Sequence, residues 1–402
     1  MNVTITPGLL RGAITPPPSK SQAHRLLIAA ALADGESRIE HLADSQDIQA
    51  TRRCMAALKA PGEDLPVLDC GESGSTLRFL IPVALALRGG GRFTGRGRLM
   101  ERPQKPYFDL FDEKGIAYRQ EDGVLTVQGR LTPGTFALPG DVSSQFVTGL
   151  LYALPLLPGD STLTVTPPVE SAGYIRMTLQ CLADSGIHLE ETGPYAWRIP
   201  GNQRYRATGG ALPGDWSQGA VILCAGVLGH GVDVAGLDTA STQGDRAALD
   251  VLARLGVSFR EEGGVLHPLG GTLRGATFSG RDIPDIVPVL ALACTQAAGE
   301  SRITGCGRLR LKESDRFAAT VELLSALGAD IHGEGDDLVV RGPTPLRGGV
   351  TLSARNDHRL VMLLALAATV AEGPVTVQGV EALNKSWPTF LTTYEALGGK
   401  VS

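Results

Sequence analysis

The chain has 402 residues, 20% of them charged and 43% drawn from the AVILMFWYC set, a balance that excludes wholesale disorder. Its length exceeds what one hydrophobic core usually fills, so two domains of similar size are expected. A formal net charge of −5 leaves no global basic surface, which argues against a nucleic-acid or anionic-membrane partner; any anion must be met by a local cluster of cations.

The opening Met1-Asn2-Val3-Thr4-Ile5-Thr6-Pro7 carries no basic-then-apolar leader, and no clean apolar run reaches about 18 residues, so neither export nor a membrane span is expected. Cys54, Cys70, Cys181, Cys224, Cys294 and Cys306 are dispersed without a C-x-x-C pair and read as buried free thiols in a cytoplasmic protein.

Along the chain, polar clusters precede apolar helical runs. Pro18 to Arg25 leads into Leu26–Ala33, Cys70 to Arg78 into Phe79–Leu87, and Asp141 to Gln145 into Phe146–Leu157. Asp215 to Gln218 leads into Ala220–Leu228, Leu311 to Arg316 into Phe317–Leu327, and Asn356 to Arg359 into Leu360–Ala371. Their Ser, Asp and Asn residues are expected N-caps. A second kind of helix ends in glycine before a strand, at Gly115, Gly186, Gly256, Gly328 and Gly398, spaced by about 70 residues, with a degenerate copy at Ala60-Pro61-Gly62. Interleaved turns at Gly35, Gly91, Gly159, Gly231, Gly299 and Gly373 open alternating strands, and Gly-Glu-Ser-Arg recurs verbatim at 35 and 299. Leu138-Pro139-Gly140-Asp141 is echoed by Leu212-Pro213-Gly214-Asp215. The pattern predicts an α/β fold of six repeats, three per domain, with a groove between the domains where small-molecule sites are common.

Capping does not require a cation in the first turn, where it opposes the helix dipole. Lys20, Arg25, Arg78 and Arg359 all break that rule, which makes sense if anions bind at those helix heads. Lys312 and Arg316 are spaced i, i+4, as if on one helical face, with Glu313 beside them. His24 and His358 read as packed or hydrogen-bonded. There is no G-x-x-x-x-G-K-[ST], G-x-G-x-x-G after a strand, H-E-x-x-H or G-x-S-x-G, so neither a metal nor a nucleotide cofactor is expected.

Lys20-Ser21-x-x-x-Arg25, Gly74-Ser75-x-x-Arg78, Glu101-Arg102-Pro103, Ser143-Ser144-Gln145-Phe146, Lys312-Glu313-Ser314-Asp315-Arg316 and Asn356-Asp357-His358-Arg359 together closely resemble the 5-enolpyruvylshikimate-3-phosphate synthase family over nearly the whole chain. The resemblance implies a two-domain inside-out α/β barrel, the enolpyruvyl transferase fold, of six βαβαββ-type repeats. It places the N-terminal domain at 20–212 and the other at 1–19 plus 213–402, with a double-crossover hinge near Ser19 and Pro213 and the active site in the cleft. It implies a cytoplasmic, cofactor-free, monomeric enzyme of the shikimate pathway. Such an enzyme moves the enolpyruvyl group of phosphoenolpyruvate to the 5-hydroxyl of shikimate 3-phosphate and is a target of glyphosate.

By the same resemblance Lys20, Ser21, Arg25, Ser143, Ser144, Gln145, Ser171, Tyr174, Asp285 and Lys312 hold shikimate 3-phosphate. Lys20, Gly74, Arg78, Arg102, Gln145, Arg316, Arg359 and Lys385 hold phosphoenolpyruvate. Asp285 is the implied base for the 5-hydroxyl, and Glu313 and Lys312 the implied proton donors. The substrates bring roughly −5 to −6 of charge, comparable to the eight cations of this set. Glu72 and Arg308 depart from the commonest pattern, each standing where Asn is frequent. The sister nucleotide-sugar transferases carry a loop Cys and a Lys-Asn pair; here Lys20 is followed by Ser21 and Gly95 to Tyr107 lacks Cys. An inactive anion-binding module is a third reading, against which Asp285, Glu313, Lys312 and Arg102 stand.

Overall fold

The computed structural model describes residues 1–229 and 231–402. The chain divides into two compact units, Met1–Ser19 with Pro213–Ser402, and Lys20–Leu212.

In the first unit the helices Trp216–Val227, Val287–Thr295 and His358–Val370 are buried almost throughout. Their sequences are apolar on all sides, and a helix of that kind is stable only inside a core. Three four-stranded sheets contribute to the same core. Each has one plan: an edge strand pairs in parallel with its neighbour, which pairs antiparallel with a third strand, and that one antiparallel with a fourth. Thus Thr277–Ser279 runs parallel to Gly299–Thr304, which pairs antiparallel with Asp337–Gly342, and that strand with Asp330–Glu334.

The chain is threaded discontinuously through this unit. Asn2–Thr6 pairs with both Val375–Gln378 and Lys400–Val401. Arg11–Ile14 runs parallel to Gly231–Ala235, so the whole of Lys20–Leu212 is inserted between a strand and the helix that follows it. At the insertion point Ser19 N–H donates to Pro213 O at 2.8 Å and Asp215 N–H to Pro17 O at 2.9 Å.

Lys20–Leu212 repeats the plan in two four-stranded sheets and reduces it to a two-stranded parallel pair, Ile39–Glu40 with Gly210–Ala211, in its shortest copy. Its helices Gly74–Arg88 and Ser144–Ala153 cross closely at Gly149. Pro82 lies inside the first and has no N–H for the Arg78 carbonyl four residues earlier. The buried Tyr107 hydroxyl, from a third helix, Lys105–Lys114, lies 2.8 Å from that carbonyl and 2.9 Å from the Phe146 carbonyl, so its one proton is shared between them and partly replaces the lost bond.

The five spaced glycines end their helices with φ from 67° at Gly115 to 98° at Gly328, the left-handed region open to glycine. The degenerate copy differs. The helix Gln46–Lys59 ends at Ala60 in an extended conformation, φ −63° and ψ 137°, because Pro61 excludes the helical region for the residue before it. All six cysteines are free and buried. Among the described residues no helix is long and apolar enough to cross a membrane.

A Cβ added at Gly149 would stand 2.5 Å from the Arg78 carbonyl oxygen and would press on the Tyr107 hydroxyl. Gly149→Ala is therefore expected to destabilise the protein by about 1–3 kcal/mol. Chemical denaturation measures this, and an unchanged midpoint would show that the two helices can separate freely.

Candidate active site

In Lys20–Leu212 the candidate residues gather at the starts of the helices Lys20–Leu32, Gly74–Arg88 and Ser144–Ala153. Ser73 Oγ accepts from Thr76 N at 3.1 Å and Ser143 Oγ from Gln145 N at 3.3 Å, the expected N-caps. Lys20 Nζ meets Asp47 Oδ2 at 2.7 Å. Arg25 is 2% exposed. It donates to Thr178 Oγ1 and Ser21 O at 2.8 Å, to Tyr174 O at 3.0 Å and to Thr148 Oγ1 at 3.4 Å, all neutral oxygens. The rings of Phe79 and Tyr174 lie 5.2 and 5.9 Å from its guanidinium carbon. Burial pushes its pKa down from the ordinary arginine value.

A second group joins Arg78, Gln145 and Ser75. Arg78 donates to Gln145 Oε1 at 2.8 Å and to Pro103 O at 3.0 Å, and Gln145 Nε2 donates to Ser75 Oγ at 3.1 Å. Arg102 follows the short helix Leu99–Glu101 and lies over Gly74, where a Cβ would come within 2.5 Å of its Nη1. Ser144 is buried beside Ser143. Ser171 starts the helix Ala172–Asp184 with φ 57° and ψ 39°, a left-handed backbone uncommon outside glycine. Its carbonyl accepts from Tyr174 N–H at 3.0 Å.

In the other unit the site is built around Arg316, 1% exposed. Its Nη1 donates to Asp285 Oδ1 at 2.8 Å, its Nη2 to Glu313 Oε2 at 2.6 Å, and its Nε to Asp357 Oδ2 at 2.9 Å. Lys312 Nζ reaches the same Asp285 Oδ1 at 3.2 Å. The i, i+4 expectation fails here: Lys312 follows the short helix Gly307–Leu311, and the next helix starts only at Arg316. Asp315 takes the cap, accepting from Ala318 N at 3.0 Å, so Lys312 lies outside the helix that Arg316 opens. Lys312 and Arg316 converge on Asp285 from two segments.

Asp357 caps the helix His358–Val370 through Arg359 N at 2.9 Å and accepts from Ser314 Oγ at 2.9 Å. Arg359 donates to Ser217 O at 2.9 Å, to Gln218 Oε1 at 3.4 Å and to Ser217 Oγ. Lys385 Nζ donates to Asn356 O at 2.5 Å. Burial alone would raise the pKa of Asp285, but the cations of Lys312, Arg316 and Arg359 outweigh it and hold the carboxyl well below the usual range. Burial lowers the pKa of Lys312, with Asp285 opposing. Burial also disfavours the Arg316 cation, yet Asp357, Glu313 and Asp285 raise its pKa on balance.

Sequence reasoning missed the residues that hold these cations: Asp47, Thr148, Thr178, Asp357, Ser217 and Gln218. One signal was present. Ser217 follows Asp215 as Ser143 follows Asp141 in the Leu-Pro-Gly-Asp echo.

The sequence model of the EPSP synthase (3-phosphoshikimate 1-carboxyvinyltransferase) family matches residues 5–394. A 3-phosphoshikimate 1-carboxyvinyltransferase of Clostridium novyi is 39% identical, the match covering 99% of this chain and 98% of that protein. Another from Clostridioides difficile is 37% identical over 100% of this chain and 98% of its own length. An EPSP synthase structure from Acinetobacter baumannii shares the fold with a TM-score of 0.79 at 23% identity, covering 100% of this chain and 99% of that one. The enolpyruvyl transferase NikO of Streptomyces tendae does so with a TM-score of 0.79 at 22% identity, covering 100% and 98%. The fold is thus that of the enolpyruvyl transferases, and the chain belongs to the EPSP synthase family.

Proposed function

We propose that the protein transfers the enolpyruvyl (carboxyvinyl) group of phosphoenolpyruvate to the 5-hydroxyl of shikimate 3-phosphate, releasing phosphate. The product serves the shikimate route to aromatic amino acids. The reading is carried by one cluster: Asp285 Oδ1 is shared by Lys312 and Arg316, and Glu313 lies on the same guanidinium. Addition–elimination needs a group to take the 5-hydroxyl proton as that oxygen attacks C2. A second must protonate the methylene carbon C3 and later recover a proton from it as the bond to phosphate oxygen breaks. Asp285, kept ionised by its cations, accepts the hydroxyl proton; Glu313 and Lys312 serve C3. No side chain need form a covalent bond to substrate.

Lys20, Arg78, Arg102, Gln145, Arg316, Arg359 and Lys385 bind phosphoenolpyruvate, with room left by Gly74. Lys20, Ser21, Arg25, Ser143, Ser144, Gln145, Ser171, Tyr174, Asp285 and Lys312 bind shikimate 3-phosphate. Arginine forks suit both phosphate and carboxylate. The enzyme works as a cytoplasmic monomer.

Phosphate release from phosphoenolpyruvate is expected with shikimate 3-phosphate and not with UDP-N-acetylglucosamine; release with the nucleotide sugar alone, or with neither, would sink the proposal. Asp285→Ala is expected to lower kcat by roughly 10²- to 10⁴-fold, measured in the same assay. Lys312 must carry a proton to act as an acid, and its lowered pKa means the proton is lost below the ordinary lysine value of 10.5. The rate is therefore expected to fall on the alkaline side below that pH. Lys312→Arg, which does not titrate there, should be slow and lack that limb; an unchanged profile would remove Lys312 from the chemistry. With no Cβ at position 74, glyphosate is expected to inhibit in competition with phosphoenolpyruvate, and turnover indifferent to it would contradict the assigned donor site.

A further inference from the structure

Two buried arginines of the same unit are held in opposite ways. Arg316 is met by three carboxylates, Asp285, Glu313 and Asp357. Arg359, 4% exposed, is met by neutral acceptors: the Ser217 carbonyl and Gln218 Oε1 on Nη1, and the Ser217 hydroxyl oxygen on Nη2. Its Nε, also buried, has no hydrogen-bond partner among the described residues.

The neutral acceptors are themselves fixed. Ser217 and Gln218 lie in the first turn of Trp216–Val227, where Asp215 Oδ1 accepts their backbone N–H groups at 2.9 and 3.1 Å. The same oxygen takes the Ser217 hydroxyl proton at 2.5 Å, so a lone pair of that hydroxyl is left to face Arg359. Gln218 Nε2 donates to Ser386 Oγ at 3.2 Å. A guanidinium can only donate, so the amide must turn its oxygen to Arg359 and its nitrogen to Ser386. One buried amide thus spans Arg359 and the segment that carries Lys385.

A carboxylate at position 218 would hold the guanidinium at least as firmly, but it would also cancel its charge. A neutral oxygen orients it and leaves the charge in place. A buried N–H without a partner is a standing cost to the fold, relieved when an anion accepts from it.

We propose that Ser217 and Gln218 are positioning residues for Arg359, fixing its guanidinium with neutral acceptors so that a cation no carboxylate hydrogen-bonds directly, and its free Nε edge, meet an anionic group of phosphoenolpyruvate. The inference rests on the function proposed above and concerns how one of its cations is kept available.

The test is steady-state kinetics of wild type, Gln218→Glu and Ser217→Ala, with calorimetric titration of phosphoenolpyruvate in the presence of shikimate 3-phosphate. Gln218→Glu is nearly isosteric, and the Ser386 hydroxyl can turn to donate to it. It is expected to raise both KM and Kd for phosphoenolpyruvate by about 10- to 100-fold, the loss of a hydrogen bond to a charged group. KM for shikimate 3-phosphate and the melting temperature should stay near wild type. Ser217→Ala, which keeps the carbonyl contact, is expected to raise the same two constants by about two- to tenfold. Unchanged phosphoenolpyruvate affinity in a folded Gln218→Glu protein, or a fall in kcat alone, overturns the inference and leaves the proposed reaction standing. Should Gln218→Glu fail to fold, Ser217→Ala decides on the same readout. A folded wild type that releases no phosphate with shikimate 3-phosphate overturns the proposed reaction and this inference with it.

Discussion

A helix buried along its whole length can show polar groups only at its ends, and that constraint organises each unit. Trp216–Val227, Val287–Thr295 and His358–Val370 have apolar flanks locked into one core. Ser73, Ser143, Asp215 and Asp357 cap four helix starts, and Arg78 and Arg359 stand in the opening turns of two of them. A fold that hides its helices this way concentrates its chemistry at helix heads without any further device, and it places that chemistry where backbone N–H groups already favour anions.

A cation in such a position is opposed by the dipole and by burial together, so what surrounds it decides what it can do. Carboxylates settle Arg316 as a rigid hub whose donors are mostly committed within the protein. Arg25 and Arg359, one in each unit, are settled by hydroxyls, amide and carbonyl oxygens instead. In a medium of low dielectric a charge that no carboxylate binds directly acts far more strongly on a bound anion than it would in water. The two arrangements divide labour between holding the site together and attracting what enters it.

The repeat was legible because helix ends that need a left-handed residue select glycine, and five of them did so in phase. The partner of a strand was not legible. Nothing near Ile39–Glu40 announces that its neighbour is Gly210–Ala211, since parallel pairing leaves no local mark. The cations stood out by defying the dipole rule, and the family resemblance named them. Their supports did not stand out: Thr148 sits in the apolar run Phe146–Leu157, Asp47 and Thr178 belong to no motif, and Ser217 and Gln218 read as part of a cap cluster. Lys312 was drawn onto the wrong element because a spacing of four suggests a helix wherever one follows, while Asp315 is the stronger start signal.

Among the described residues the strand Asn2–Thr6 pairs with Val375–Gln378 and Lys400–Val401; Thr4 and Thr376 join their hydroxyls across 372 positions. On a ribosome adding roughly 5–20 residues per second, this strand waits some tens of seconds for the strands that cover it. Lys20–Leu212 is contiguous and has its sheet partners in hand long before then. The inserted unit can fold first, while the one that brackets it stays open until Lys400–Val401 has been made, with a bare strand edge that the cell must keep from pairing elsewhere.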